Sequence, residues 1–297
     1  MSNPFDLNDP DAYRVWRDNK LKGYPGSAEN LRVEIGRPEE LTRGETERIQ
    51  SLVSKTSTAL FACRHSKTMD KTALLAFGRQ LGLSRLDNHL CADEAAVSTL
   101  TPRTAGQASD YIPYSNRPLS WHSDGYYNPP DRQIGAWMLY CIRDAVKGGE
   151  NALLDHEIAY IRLRDRDPAL IRALMDPQAM CVPANVEKGI LLRPASIGPV
   201  FSIRAGSLHM RYSARVRHIA WKQTPEVEAA RTALLRLFSS DDVYIFRHKL
   251  TPGEGYVSNN PLHNRSGFEI PKTGGAARVL LRARYLDRVY RRSGLGA

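Results

Sequence analysis

Apolar residues at Ile49, Leu52 and Val53 follow Thr42-Arg43-Gly44-Glu45 at helical spacing. A threonine with a glutamate three positions on can satisfy the first free amides of a helix reciprocally, so a helix is predicted over 43–54. The apolar run over 59–63 predicts a strand, and Asp70 caps a further helix that Gly82 stops. From there on, short apolar runs over 135–141, 152–154, 200–203 and 243–246 alternate with Gly and Pro, the pattern of sandwich or barrel strands. Two helices interrupt them at Asp167-Pro168 and Thr224-Pro225, each a cap residue followed by proline at the first helical position. In the second, Val227, Ala230, Leu234 and Phe238 share one face. The last strand covers 277–286 and is rich in arginine. Residues 1–32 show no sustained period and read as an extended arm with one short helix over 13–17. The expected fold class is mainly β with flanking helices, as a single domain over 33–297 behind an arm over 1–32.

Composition narrows the function. No apolar run of the 297 residues is long enough to cross a bilayer, and the start, Met-Ser-Asn-Pro-Phe-Asp, is polar where a secretory leader is basic and then apolar, so a cytoplasmic location is expected. Four cysteines without a Cys-x-x-Cys pair suggest neither a disulfide framework nor a zinc knuckle. A formal charge of +10 and a pI near 9.5 favour an acidic partner. The one dense basic cluster is Arg278, Arg282, Arg284, Arg288, Arg291 and Arg292, without interleaved aromatics, which points to a small anion rather than nucleic acid or membrane.

The candidate chemistry lies in Trp121-His122-Ser123-Asp124-Gly125, where an extended backbone puts an imidazole and a carboxylate on one face. A third ligand must come from elsewhere, and His263 in Asn260-Pro261-Leu262-His263-Asn264-Arg265 is best placed. Two histidines and one carboxylate on one face of an octahedron leave three positions open, as non-haem iron(II) oxygenases require. Lys147-Gly148-Gly149-Glu150-Asn151 follows the first pair, and Arg282 lies 19 residues beyond His263. Tyr114, Asn116, Tyr126, Arg211 and Tyr212 are candidate substrate contacts. No Gly-x-Ser-x-Gly elbow or P-loop supports hydrolysis or nucleotide triphosphate chemistry.

Taken in order, Trp-His-x-Asp, Gly-Gly-acidic, a distal His and a C-terminal Arg resemble the TauD/TfdA (taurine dioxygenase-like) family of the clavaminate synthase-like superfamily, over about 119–287. That resemblance implies a double-stranded β-helix (a cupin-like jelly roll) and an Fe(II)- and 2-oxoglutarate-dependent dioxygenase that consumes O2 and releases succinate and CO2. It implies iron ligands His122, Asp124 and His263. It assigns the far carboxylate of 2-oxoglutarate to Arg282, with Arg278 on the same strand face as the alternative. Asn151 stands where taurine dioxygenase has threonine and retains an amide donor. Asp124 stands where related halogenases carry a small residue, which favours hydroxylation or oxidative cleavage. The expected substrate is a small anionic metabolite and the expected assembly a homo-oligomer. The rival readings are a catalytically silent jelly-roll binding or sensor protein and a nucleic-acid demethylase of the same cofactor chemistry.

Overall fold

A computed structural model of the chain describes residues 3–63, 69–87, 96–102, 112–215, 219–271 and 277–290. Arg291 and Arg292 of the basic cluster lie outside the described residues.

Two sheets carry the fold. The major one has six strands in the order Arg32–Ile35, Thr58–Cys63, Glu254–Ser258, Ala136–Arg143, Val279–Tyr285, Val97–Leu100. The minor one has four, in the order Phe246–His248, Asn151–Leu154, Leu262–Arg265, Leu119–His122. Only the pairing of Arg32–Ile35 with Thr58–Cys63 is parallel in these two sheets. Leu139, Tyr256 and Leu280 of the major sheet share one core with Leu153 and Phe246 of the minor sheet. The chain is thus the double-stranded β-helix expected from its motifs.

Six helices flank the sheets among the described residues: α1 (Pro10–Leu21), α2 (Arg43–Thr56), α3 (Lys71–Gln80), α4 (His156–Arg166), α5 (Pro168–Leu174) and α6 (Pro225–Phe238). The period of two sorts the arginine-rich strand. Leu281, Ala283 and Tyr285 take one face, where the Tyr285 hydroxyl approaches Gly78 of α3 so closely that a Cβ there would sit 2.7 Å away. Arg278, Leu280, Arg282 and Arg284 take the other. On the far side of the minor sheet, Trp121, Ala152, Leu154 and Leu262 form a second core with Tyr160, Leu170, Leu234 and Phe238 from α4, α5 and α6.

The capping box is formed: Thr42 accepts from the Glu45 amide while the Glu45 carboxylate accepts from the Thr42 amide. Both proline-started helices form as well, with Asp167 and Thr224 as capping acceptors. Several elements differ from expectation, among them α4, which is buried on nearly all sides and so shows no one-sided period, and the strand Phe246–His248, which begins where the run expected over 243–246 ends. The N-terminal helix runs over Pro10–Leu21 rather than 13–17 and packs on the body of the molecule. It carries few aliphatics because its inward face is held by the buried Lys20 ammonium, 2.7 Å from Asp155 and also paired with Glu157, and by Phe5, Tyr13 and Trp16 around Tyr160. An antiparallel hairpin, Asn185–Glu187 with Ile190–Arg193, was not foreseen, since its strands are short and largely exposed and show no one-sided apolar pattern.

Candidate metal centre

Strand register assembles the centre. His122 ends the strand Leu119–His122, and His263 of the neighbouring strand is its direct cross-strand partner, with ring centroids 4.2 Å apart. Asp124 follows two residues on. His122 Nδ1 lies 2.9 Å from the Ser120 carbonyl and His263 Nδ1 3.0 Å from the Pro261 carbonyl. A carbonyl can only accept, so each Nδ1 carries the hydrogen and each Nε2 keeps a bare lone pair. Those Nε2 atoms lie 3.6 and 4.0 Å from Asp124 Oδ1, and the three donor groups fall within 4.8 Å of one another.

The charge states suit a cation. Burial drives His263 down to about 3, helped by the neighbouring His122, so the ring stays neutral. Burial alone would raise Asp124, but the charges of Arg282 and Arg284 outweigh it and hold the carboxyl well below its usual range. Asp124 Oδ2 is buried without a hydrogen-bond partner, the nearest cation being Arg282 Nη1 at 3.5 Å. A buried carboxylate oxygen with no donor is costly unless a cation completes it. Two imidazoles presenting Nε2 and this carboxylate form a donor set that fits a divalent transition metal.

Asn260, which the sequence does not single out, fixes the loop. Its Oδ1 accepts from the Asp124 amide at 2.8 Å, and its Nδ2 donates to the Asp124 and Ile134 carbonyls at 3.0 Å each. It does so from a left-handed backbone (φ 55°), a region asparagine tolerates better than most residues. The signal available was an asparagine three residues before the distal histidine.

The arginines divide into two groups. Arg282 faces Asp124, while Arg284 donates to the Tyr127 hydroxyl at 2.8 Å and pairs with buried Asp87. Further along the same face, Arg278 makes no hydrogen bond or ion pair among the described residues. Its guanidinium lies 5.2 Å from the Phe268 ring centre, and Arg265 lies 4.9 Å from the same ring. Burial pushes both down to about 10, and Arg265 is further lowered by Arg278. Gly149 lets Arg278 lie close, since a Cβ there would be 3.3 Å from its Nε. Asn151, cross-strand from Arg265, donates Nδ2 to the Asn264 carbonyl at 3.2 Å and keeps a buried, unpartnered Oδ1.

The expected substrate contacts scatter. Tyr114 is buried in the core between the sheets, and Tyr126 is half-buried beside Tyr127. Asn116 is exposed, with its carbonyl accepting from the Phe268 amide. Arg211 requires correction: its guanidinium is buried and donates to the carbonyls of Tyr126, Met180, Gly198 and Ser196, so it clamps loops and has no fork left for an anion. Tyr212 requires it too, because its ring packs against Phe238 and Trp221 in the outer core.

A family profile described as "Taurine catabolism dioxygenase TauD, TfdA family" matches residues 17–284. A uridine-5'-phosphate dioxygenase from Amycolatopsis sp is 31% identical over 173 residues, which are 56% of this chain and 60% of that protein, so the match spans less than two thirds of the relative. Among solved structures, the non-heme iron oxygenase OrfP in complex with Fe and alpha-ketoglutaric acid superposes with a TM-score of 0.60 at 17% identity, covering 82% of this chain and 80% of that one. Asparagine oxygenase in complex with Fe(II), hydroxyasparagine and succinate gives 0.57 at 16% identity, covering 84% and 85%. These structural likenesses establish the shared fold. No helix among the described residues is long and apolar enough to cross a membrane.

Proposed function

The chain belongs to the TauD, TfdA family, and from that premise we propose that it is an iron(II)- and 2-oxoglutarate-dependent dioxygenase that oxidises a small anionic metabolite, releasing succinate and CO2. The observation that carries this is the triad His122, Asp124 and His263, whose two Nε2 atoms lie 3.6 and 4.0 Å from the Asp124 carboxylate. These three residues would hold the iron, which when bound supplies the redox chemistry coupling O2 and 2-oxoglutarate to oxidation of a substrate C–H bond.

The protein's own part is positioning. Arg278 is the better holder of the far carboxylate of 2-oxoglutarate, although the family resemblance assigns that role to Arg282 with Arg278 as the alternative. Arg278 is a buried cation with no acid in ion-pairing distance among the described residues, and a carboxylate would meet it in a bidentate, charge-assisted pair. Arg282 is already set against Asp124 and keeps that carboxylate ionised. Its buried, unpartnered Nε is left for an anionic substrate group. The similarity to a uridine-5'-phosphate dioxygenase puts nucleoside 5'-monophosphates first among substrates to try.

The test is succinate formation by iron-loaded protein across small phosphorylated and carboxylated metabolites. Substrate-stimulated succinate that Asp124→Ala abolishes is the expected result. Folded, iron-loaded protein that neither consumes O2 nor forms succinate with any of them would favour the silent binding protein.

A further inference from the structure

A cleft of about 280 Å³ lies away from the triad, between residues 133–135, the end of the strand Val279–Tyr285, and the hairpin Phe201–Arg204 with Ser207–Met210. Arg85, Arg204, His209 and Arg288 line it, with Asp287 as the acid. Asp287 is already committed: it pairs with Arg85 at 2.6 Å and accepts the Ser84 and Arg85 amides. The other three basic groups have no carboxylate within ion-pairing distance among the described residues. Arg204 is half-buried and makes one hydrogen bond, to the Pro130 carbonyl at 2.6 Å. Arg288 is half-buried and makes one long contact, to the Leu208 carbonyl at 3.5 Å. His209 is 7% exposed, and neither ring nitrogen has a hydrogen-bond partner among the described residues.

Burial lowers the proton affinity of all three, most strongly for His209, which is therefore a neutral ring with one N–H to give. Two half-buried guanidinium groups with no carboxylate in ion-pairing distance among the described residues form an arrangement that a bound anion would stabilise. Their free donors together with the imidazole N–H exceed what the two oxygens of a carboxylate can use, and suit the three terminal oxygens of a phosphate. The volume leaves room for an organic remainder beyond the phosphate. Ile134, buried against Gly125, stands between this cleft and the loop that carries Asp124.

We propose that the cleft of Arg204, His209 and Arg288 is a second binding site that takes a phosphate group, either free or on a small metabolite. The site is independent of the oxygenase reading, because binding is read on metal-free protein without 2-oxoglutarate. Calorimetric titration with inorganic phosphate, at ionic strength matched by chloride, is the experiment. Saturable binding is expected in the wild type and in the charge-matched control R166Q/R172Q, on exposed helix faces, and about tenfold weaker binding in R204Q/R288Q. Tighter binding of a phosphate monoester than of inorganic phosphate identifies a metabolite as the source, and the reverse order identifies free phosphate. No saturable binding in the wild type, or equal weakening in both double variants, overturns the proposal. Should R204Q/R288Q not fold, arginine-selective labelling of the wild type decides: phosphate must slow modification of Arg204 and Arg288 but not Arg166, and unchanged labelling overturns the site.

Discussion

At the scale of single residues, a neutral histidine that spends its Nδ1 hydrogen on the carbonyl two residues before it has only a lone pair left to offer. His122 and His263 both do this, facing one another across a strand pair. The pairing of His122 with Asp124 was legible because a two-residue spacing on an extended backbone fixes a common face, and His263 was legible from its motif. Asn260 was not legible, since its role depends on a left-handed backbone and on contacts 136 and 126 residues away in sequence. The choice between Arg278 and Arg282 was also beyond the sequence, because both share a face and only their neighbours tell them apart. Arg278→Ala, assayed at saturating iron(II), is expected to raise the KM for 2-oxoglutarate about 10–100-fold, the worth of a charge-assisted pair. A larger rise in Arg282→Ala would return the assignment to Arg282. Buried histidines also set a pH dependence. His156, His209 and His263 all have folded values depressed below 6.5, with burial the largest cause. Depression means the unfolded chain takes the proton first, so stability present above about pH 6.5 is lost as pH falls. Each histidine that stays unprotonated when folded removes about 1 kcal/mol between pH 7 and 5.5. Denaturant unfolding of metal-free protein at those two values checks it, and equal stability would contradict the assigned charge states.

Individual elements were legible where local chemistry decides them. The capping box of α2 and the proline-started α5 and α6 follow from their first residues. Helix α1 was underestimated because its anchoring is electrostatic and aromatic and comes from α4 and its cap, distant in sequence. Lys20 reaches Asp155, which also accepts from the Ser57 hydroxyl and caps α4 through the Glu157 amide. Lys20→Met is therefore expected to cost about 3–5 kcal/mol, the penalty for leaving a buried carboxylate without its cation. Thermal unfolding would read this as a clear drop in Tm. A loss under about 1 kcal/mol would mean that water or another group replaces the lysine.

For the molecule as a whole, the jelly roll turns one sequence into a converging set of side chains. The minor sheet brings His122 to His263, and the major sheet aims Arg278, Arg282 and Arg284 across the gap. The alternating apolar runs announced strands, and the motif order announced their arrangement. What sequence could not supply was which polar side chains hold the scaffold, as Arg211 does, and which face the site. The excess of basic residues is partly used within the fold, by Arg284 on Asp87 and Lys20 on Asp155, and partly left, among the described residues, without an acid partner at Arg278, Arg204 and Arg288. The most direct test of the central claim is anaerobic addition of iron(II) and 2-oxoglutarate to the purified protein, watched for the weak visible metal-to-ligand charge-transfer band. A band that forms in the wild type and is lost in His263→Ala is the predicted result, while its absence from well-folded, iron-loaded protein would contradict the assignment of this centre.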